Sequence, residues 1–309
     1  MQGRITLKLG LVGLGRMGAN MARRWRRADC EIVAWNRNAE ATRLLADETG
    51  VIATSSLAQL VASLAAPRIV WTMLPAGDVT EQTLTALAAL LSSGDLLVDG
   101  SNSFYKDSMR RAEQIAARGV GFVDAGVSGG IWGLEQGYAL MLGGERSDLD
   151  RLRPFIEALA PDPARGWLHC GPSGAGHFVK MIHNGIEYGM MQAYAEGFAL
   201  MKARDEFSLD LAAVAETWRH GSVVRSWLLD ITADLLAIDQ QMDTVAPYVA
   251  DSGEGRWAAL EGIELGVPTP VISLALMMRF SSQDRSEYGD KLLAVMRRGF
   301  GGHPIKTDG

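Results

Sequence analysis

Four side chains capable of acid–base chemistry or hydrogen bonding recur along one face of a predicted helix. The stretch GHFVKMIHNGIEYG, residues 176–189, places Lys180, His183, Asn184 and Glu187 at intervals of three, four and seven. Successive helical residues advance by about 100°, so these side chains share a narrow stripe. The apolar residues between them point elsewhere and are expected to pack: Phe178, Val179, Ile182 and Ile186. Burying such polar groups without partners costs roughly 2–7 kcal/mol each, so the stripe either satisfies itself or faces a ligand.

The residue types on this stripe suit two proton transfers. A buried lysine can act as a general base near neutral pH, and a buried glutamate can act as a general acid. The alternative is a solvated surface pair between Lys180 and Glu187 or between Lys180 and Asn184. The apolar remainder of the helix and its position after a flexible segment favour a catalytic site.

A glycine motif near the N-terminus predicts a dinucleotide site. In LGLVGLGRMGANMARR, Gly13, Gly15 and Gly18 enclose Arg16 and Met17 in the pattern GxGxxG, directly after a predicted strand and at the start of a predicted helix. In such motifs the first glycine makes the turn, the second lets the backbone approach a pyrophosphate, and the third lets the helix pack on the strand. An ordinary glycine-rich turn is the alternative.

The end of the second predicted strand favours NADP over NAD. An acidic residue normally stands there when the cofactor is NAD, because it accepts hydrogen bonds from the ribose hydroxyl. This chain has Asn36 followed by Arg37, whose guanidinium can bind a 2′-phosphate. A solvated loop arginine remains an alternative, and so does NAD. Met73 and Leu74 lie past another strand, where they pack either on the cofactor or in the core.

The elements that must position these residues fall into two regions. Up to Asp124, short apolar runs alternate with amphipathic segments, which indicates a parallel sheet covered by helices. The predicted strands are Ile5–Val12, Glu31–Trp35, Arg68–Met73, Leu96–Asp99 and Val120–Asp124, with another in YALMLGG; the predicted helices include Met17–Arg27 and Ser108–Arg118, the latter closed by Gly119.

Beyond a predicted hinge at His169–Gly176, apolar spacing near 3.6 predicts helices only. We expect an α/β protein with an N-terminal Rossmann-type doubly wound sheet over 1–170 and an all-helical domain for substrate binding and oligomerisation over 171–309. The first helix of the second region is expected to run from Gly176 to about Ala203. Ser208 is the expected N-cap of the next helix, and three glycines are expected to punctuate the helices that follow: Gly221, Gly266 and Gly299.

Composition excludes several classes of protein. The net charge is −6 with 21% charged residues, so no overall basic field would attract nucleic acid or an anionic membrane. Cys30 and Cys170 lie far apart in sequence without metal-type spacing, which predicts neither a disulfide framework nor a metal site. No apolar run approaches the ~20 residues of a membrane span. We expect a cytoplasmic protein.

Three motifs, DGSNS, GVSGGIWG and GHFVKMIHNGIEYG, resemble those of the decarboxylating 6-phosphogluconate dehydrogenases, in their short bacterial form, within the β-hydroxyacid dehydrogenase superfamily. The most specific element is KMIHNGIEYG, because related β-hydroxyacid dehydrogenases typically follow the lysine with paired asparagines. The resemblance implies oxidative decarboxylation of 6-phosphogluconate to ribulose 5-phosphate and CO2 with reduction of NADP. This reaction belongs to the pentose phosphate pathway and to gluconate utilization.

The resemblance also implies roles for individual residues. Lys180 would take the proton of the substrate 3-hydroxyl, and Glu187 would protonate the enediol. The sugar acid would be held by Asn102, Ser128, Gly129, Gly130, His183 and Asn184, and Asn102 would also lie beside the cofactor. Its phosphate would be bound by Tyr188, Arg279, Arg297 and His303. The C-terminal tail would reach a neighbouring subunit, which implies a homodimer or homotetramer.

One departure from the family pattern affects the substrate. Ser252 and Glu254 stand where longer family members have a basic and a hydroxyl phosphate ligand. Since a carboxylate near a phosphate is unfavourable, either Glu254 turns away, towards Arg256, or the substrate differs at that end. The alternatives are a dehydrogenase of another β-hydroxy acid and a non-catalytic cofactor-sensing protein. Simple oxidation has no carbanion for Glu187 to protonate, and a pure binder has no need of Lys180.

Overall fold

The computed structural model describes residues 7–283, 287–301, 304 and 306. The chain divides into two compact units, Met1–Met181 and Ile182–Gly309. The strands are β1 Lys8–Val12, β2 Glu31–Trp35, β3 Ile52–Ala53, β4 Ile69–Thr72, β5 Leu96–Asp99, β6 Gly121–Ser128, β7 Ala139–Gly144 and β8 Trp167–Gly171. The helices of the first unit are α1 Arg16–Arg27, α2 Ala39–Thr49, α3 Leu57–Ala62, α4 Asp78–Leu90, α5 Tyr105–Ala116, α6 Gly133–Gln136 and α7 Arg146–Leu159.

The eight strands form one sheet in the order β3-β2-β1-β4-β5-β6-β7-β8. Neighbouring strands run parallel except β6 and β7, which are antiparallel. The strand order reverses beside β1, which lies between β2 and β4. In such sheets ligands bind beyond the carboxyl ends of the strands at this reversal. The predicted Rossmann-type fold is therefore confirmed.

Successive residues of a strand point to opposite faces of the sheet, and their side chains pack into two separate hydrophobic cores. Leu9 and Leu11 of β1 join one core with Trp25 of α1, whereas Val12 joins the other with Leu60 of α3. All five side chains are fully buried. The two packed faces fix β1, and with it the position of the glycine loop that follows.

Helix α8, Ala175–Lys202, contains the division between the units, which falls between Met181 and Ile182. It is followed by α9 Leu211–Arg219, α10 Trp227–Ile238, α11 Glu254–Leu265, α12 Pro270–Ser281 and α13 Glu287–Gly301. A small core joins α9 and α10 through Leu211, Ala215, Leu229, Ala233 and Leu236. The predicted all-helical character is confirmed for the described residues beyond 182. The predicted domain boundary between residues 170 and 171 stays a prediction.

Several predicted bounds agree with the structure and others do not. Strands Glu31–Trp35 and Leu96–Asp99 are confirmed at both ends, whereas Ile5, the predicted start of β1, lies outside the described residues. The prediction Val120–Asp124 was too short, because antiparallel pairing with β7 continues β6 to Ser128. The predicted hinge was too long, since β8 includes Gly171 and α8 begins at Ala175.

Two predicted helix boundaries were wrong. Ser208 adopts a left-handed conformation, with φ of 46°, at the end of a 3-10 turn, and the side chain of Asp210 caps α9 by accepting from the backbone N–H of Ala213. Helix α13 continues through Gly299 to Gly301. By contrast, Gly119 and Gly266 have φ of 73° and 66°, as helix-ending glycines require.

Candidate active site

The glycine loop between β1 and α1 has the geometry that the motif predicts. Gly13 has φ of 97°, and a Cβ at Gly13 would collide with the Met73 carbonyl. A Cβ at Gly18 would collide with the Gly13 carbonyl, so α1 packs directly on the turn. A Cβ at Gly15 would meet nothing within 4 Å. The first and third glycines thus serve packing, while Gly15 leaves open space for a ligand to approach the backbone.

Asn36, at the end of β2, binds the glycine loop. Its Oδ1 accepts a hydrogen bond from the Leu14 backbone N–H at 3.2 Å, and its Nδ2 donates to the Asn38 carbonyl at 3.2 Å. Arg37 is exposed beside it. The strand therefore ends in an amide and a guanidinium, with no carboxylate at the position where a ribose-binding acid normally stands.

A cavity of about 180 Å³ lies at the carboxyl ends of the strands. Its lining includes six of the predicted cofactor residues: Gly15, Met17, Gly18, Met73, Leu74 and Asn102. Three further lining residues, Gly100, Ser101 and Val127, were not predicted. Exposed backbone at Gly15 suits a pyrophosphate, and the apolar side chains suit a ring, so the lining offers groups that a bound dinucleotide would contact. Arg16 is exposed at the start of α1 and is not part of this lining.

A buried ion pair between Asp99 and Arg111 stabilises the loop that carries Asn102. Asp99 accepts hydrogen bonds from the Ser101 N–H at 3.0 Å and from the Ser103 hydroxyl at 2.9 Å. Its Oδ2 also binds Nη1 of Arg111 at 3.0 Å, and both charged side chains are almost wholly buried. An uncompensated charge here would be costly, so the pair holds the loop beside the cofactor cavity.

The predicted substrate residues after β6 form a glycine-dependent turn. Ser128 ends the strand, and Gly129 and Gly130 follow with φ of 136° and 54°. A Cβ at Gly129 would lie 3.1 Å from the Gly137 carbonyl oxygen. The double glycine thus turns the chain at the same edge of the sheet as the cofactor cavity.

The stripe on α8 is buried at two of its four positions. Lys180 and Asn184 are 8% and 9% exposed, whereas the side chains of His183 and Glu187 are 39% and 42% exposed. His183 Nδ1 lies 3.1 Å from Asn184 Oδ1 and 3.9 Å from Glu187 Oε2. The stripe therefore consists of a buried amine and amide followed by an accessible imidazole and carboxyl.

Two apolar residues of this helix contradict the sequence-based prediction. Val179 and Ile186 were expected to pack, but they are 38% and 53% exposed. The apolar pattern of a helix alone does not reveal which of its apolar side chains the rest of the chain covers.

Tyr188, one position beyond the stripe, centres a cluster in the second unit. Its hydroxyl lies 3.1 Å from that of Ser252, which donates in turn to Glu254 Oε2. The Arg279 guanidinium stacks 3.6 Å from the centre of the Tyr188 ring. Arg256, the expected partner of Glu254, binds Asp251 at 2.6 Å. The predicted phosphate ligands Tyr188 and Arg279 are thus brought together, beside a carboxyl that is 5% exposed.

The two remaining predicted phosphate ligands belong to the C-terminal segment. Arg297 is exposed on α13, and His303 lies outside the described residues. Within the described part of the chain, no group of three or more His, Cys, Asp or Glu residues is arranged to hold a metal ion. No helix there is long and apolar enough to cross a membrane.

Comparison with known proteins gives the same family for both regions of the chain. Residues 8–171 match the NAD binding domain of 6-phosphogluconate dehydrogenase, and residues 176–297 match the C-terminal domain of 6-phosphogluconate dehydrogenase. A NAD(+)-dependent, decarboxylating 6-phosphogluconate dehydrogenase of Haloferax volcanii is 41% identical over 97% of this chain and 98% of its own length. A putative 6-phosphogluconate dehydrogenase of Bacillus subtilis is 38% identical over 96% of this chain and 98% of its own.

A solved structure extends the likeness to three dimensions. The Plasmodium falciparum 6-phosphogluconate dehydrogenase, determined in apo form, with NADP+ and with 6-phosphogluconate, superposes with a TM-score of 0.82 at 29% identity. The match covers 97% of this chain and 66% of the Plasmodium chain. The present chain is therefore similar to a part of that longer protein.

Proposed function

This chain belongs to the 6-phosphogluconate dehydrogenase family, and we propose that it oxidises and decarboxylates 6-phosphogluconate with NADP as its cofactor. The match of the two family domains over residues 8–171 and 176–297 carries this proposal, and it confirms the resemblance expected from the three motifs. The proposed reaction yields ribulose 5-phosphate and CO2 in the pentose phosphate pathway.

Lys180 is the proposed base of the oxidation step. When bound, the nicotinamide cofactor supplies the acceptor for the hydride that leaves C3 of the substrate. Lys180 takes the proton of the 3-hydroxyl, so that a 3-keto acid and a protonated amine result. Its side chain is 8% exposed, and exclusion of water strengthens its interaction with a reacting oxygen.

The same amine supports the proposed decarboxylation. Carbon dioxide leaves the 3-keto acid, and the electron pair of the broken bond passes into an enolate, whose oxygen is stabilised by protonated Lys180. Glu187 then donates a proton to C1 of this enediolate, which gives the ketone of ribulose 5-phosphate and leaves Glu187 deprotonated. Seven residues of helix separate the two groups by about 10.5 Å along the axis, a span that two long side chains can bridge towards adjacent carbons.

The remaining proposed contacts divide the substrate between its two ends. Asn102, Ser128, Gly129, Gly130, His183 and Asn184 bind the carboxylate and hydroxyls. Tyr188, Arg279, Arg297 and His303 bind the phosphate. Support at the phosphate end comes from the stacking of Arg279 on the ring of Tyr188, which keeps these two proposed ligands in contact.

The proposed preference for NADP rests on the end of β2. Asn36 carries no charge that would repel a 2′-phosphate, and exposed Arg37 offers a guanidinium to bind it. The name of the Haloferax relative gives NAD(+) for that protein, and the Plasmodium structure contains NADP+. NAD is therefore the alternative cofactor.

We further propose a cytoplasmic homodimer or homotetramer in which the C-terminal tail reaches the neighbouring subunit. Deleting residues 299–309 should raise the Michaelis constant for the sugar acid while the affinity for NADP stays unchanged. An unchanged Michaelis constant would argue against the role proposed for the tail, including that of His303 at the phosphate.

The test of the whole proposal is a coupled measurement of NADPH and CO2 from a panel of phosphorylated and free sugar acids. We expect equal amounts of both products from 6-phosphogluconate. NADPH without CO2 would instead indicate simple oxidation of a β-hydroxy acid. Lys180→Met should abolish turnover and retain NADP binding, and retained turnover would remove Lys180 from the mechanism.

A further inference from the structure

Asp124 caps the first turn of α8 from a different element. The carboxylate lies on β6, is fully buried, and accepts hydrogen bonds from the Gly174 N–H at 2.6 Å and the His177 N–H at 2.8 Å. These N–H groups stand at the N-cap and third positions of the helix, where helices need an acceptor and where a negative charge is favourable. Burial raises the pKa of this carboxyl, and His177 together with the two hydrogen bonds opposes that rise. The helix that carries Lys180 is thus tied to β6 at its origin.

Three glycines let the helix sit directly on the backbone of the sheet. A Cβ at Gly126, two residues after Asp124, would collide with Cβ of Lys180. A Cβ at Gly176 would lie 2.5 Å from the Met141 carbonyl oxygen, and one at Gly143 would lie 2.5 Å from Asp124 Oδ1. Since backbone contacts cannot relax by side-chain rotation, the cap and the glycines together fix the position of α8 along and around its axis.

His177 connects the first turn of α8 to α5, the helix that follows the loop with Asn102. The imidazole is 1% exposed, and its Nδ1 lies 2.7 Å from the hydroxyl of Ser108 on α5. Its Nε2 is buried without a hydrogen-bond partner among the described residues. Beside this bond, Phe178 packs edge-to-face on Tyr105 of α5 at 5.2 Å. The first turn of α8 is therefore held between β6 and α5.

Strand β6 also borders the cofactor cavity. Val127, the residue after Gly126, lines the cavity. Asn102, from the loop before α5, lines it as well. The first turn of α8 is therefore held by β6, which lines the cavity, and by α5, which directly follows a lining loop. A shift of this turn would change the distance from the amine to a bound ring.

We propose that Asp124 and His177 are positioning residues for Lys180, which fix its amine relative to the cofactor cavity of the same unit. This inference rests on the proposed function, because it assigns Lys180 the role of base. Neither residue touches substrate or cofactor in this scheme. Misplacement of a reacting group by 1 Å can cost about 100-fold in rate, so loss of the anchor should appear in turnover.

The test compares two amide substitutions of one histidine. His177→Asn keeps a polar atom near the place of Nδ1 and should retain the bond to Ser108, whereas His177→Gln places its amide near Nε2 and should lose it. We expect His177→Gln to lower kcat by about 10- to 100-fold, with His177→Asn close to the unaltered protein. Both should keep the NADP affinity, measured by fluorescence titration of the full-length protein.

An isotope effect separates positioning from a merely structural role. With substrate deuterated at C3, a misplaced base slows the step in which the C–H bond breaks, so the isotope effect on kcat should increase in His177→Gln. A smaller folded fraction would lower kcat without changing the isotope effect. Asp124→Asn, which replaces one acceptor by a donor facing an N–H, should behave like His177→Gln. If His177→Gln does not fold, Ser108→Ala removes the same hydrogen bond and should give the same increase.

Two results would overturn the inference alone: equal kcat in the unaltered protein and all variants, or a fall in kcat with an unchanged isotope effect. Absence of turnover in the unaltered protein would overturn the proposed function and the inference with it. The two failures are therefore distinguishable in one set of assays.

Discussion

Gly126→Ala should slow catalysis by displacing the proposed base. The added methyl would collide with Cβ of Lys180 and would lie 3.0 Å from the Gly176 carbonyl oxygen and 3.1 Å from Lys180 Cγ. Ordinary contacts of this kind are 3.4–4 Å. Because the colliding atoms belong to or adjoin the helix backbone, α8 must retreat from β6 by about 1 Å, at a cost of roughly 1–3 kcal/mol in the free energy of unfolding.

A displacement of that size should lower kcat by about 100-fold, measured from NADPH absorbance and released CO2. The matched control is Gly197→Ala on the same helix, where an added Cβ meets nothing within 4 Å. That substitution should raise the free energy of unfolding by about 0.5–1 kcal/mol, since alanine favours helix over glycine, and should leave kcat unchanged. If Gly126→Ala is as active as Gly197→Ala, the close contact does not set the position of Lys180.

Three further predictions address the cofactor and the surface charges. Arg37→Ala should lower the ratio of kcat/KM for NADP to kcat/KM for NAD by about 10- to 100-fold, which corresponds to the loss of one charge-assisted hydrogen bond. An unchanged ratio would show that other residues bind the 2′-phosphate. Gly15→Ala should raise the Kd for NADP by roughly tenfold or more without lowering the melting temperature, because the methyl enters open space; a lower melting temperature with unchanged Kd would contradict the assignment. A hydrogen bond from Arg110 lowers the pKa of Glu81 from 4.5 to about 2, so its carboxylate stabilises the fold above pH 4.5 and this stability is lost as the pH falls towards 2. Urea unfolding at pH 7 and pH 3 should therefore show a smaller acid loss in Glu81→Gln, and equal losses would refute the linkage.

The sequence predicts the parts of the site that depend on local pattern. The glycine loop, the strand ends and the long helix follow from short-range rules about turns and periodicity, and the cavity brings together six of the predicted cofactor residues. Ser208 shows the limit of those rules. It has the residue type of an N-cap, but Asp210 stands two positions later with the same ability and takes the role.

Residues whose hydrogen-bond partners lie far away in the sequence were not predictable from local pattern. Asp124 was expected only as the last residue of a strand, and its hydrogen bonds reach positions 50 and 53 residues later. The motif assigns no role to His177, because its partner Ser108 is 69 residues away. The partner of Arg256 likewise proved to be Asp251 instead of Glu254. The signal that could have identified Asp124 is a carboxylate within a predicted apolar strand, which must find donors if it is buried.

The cap on α8 has a consequence for recombination between related proteins. A dehydrogenase assembled from the nucleotide domain of one parent and the helical domain of another keeps a correctly started helix only if the first parent supplies an acid at 124 and glycines at 126 and 143. A join made within the connection at 172–174 would separate the helix from its anchor, although it falls in a loop. Chimeras should therefore be chosen by compatibility between β6 and α8, and not by the location of the loop.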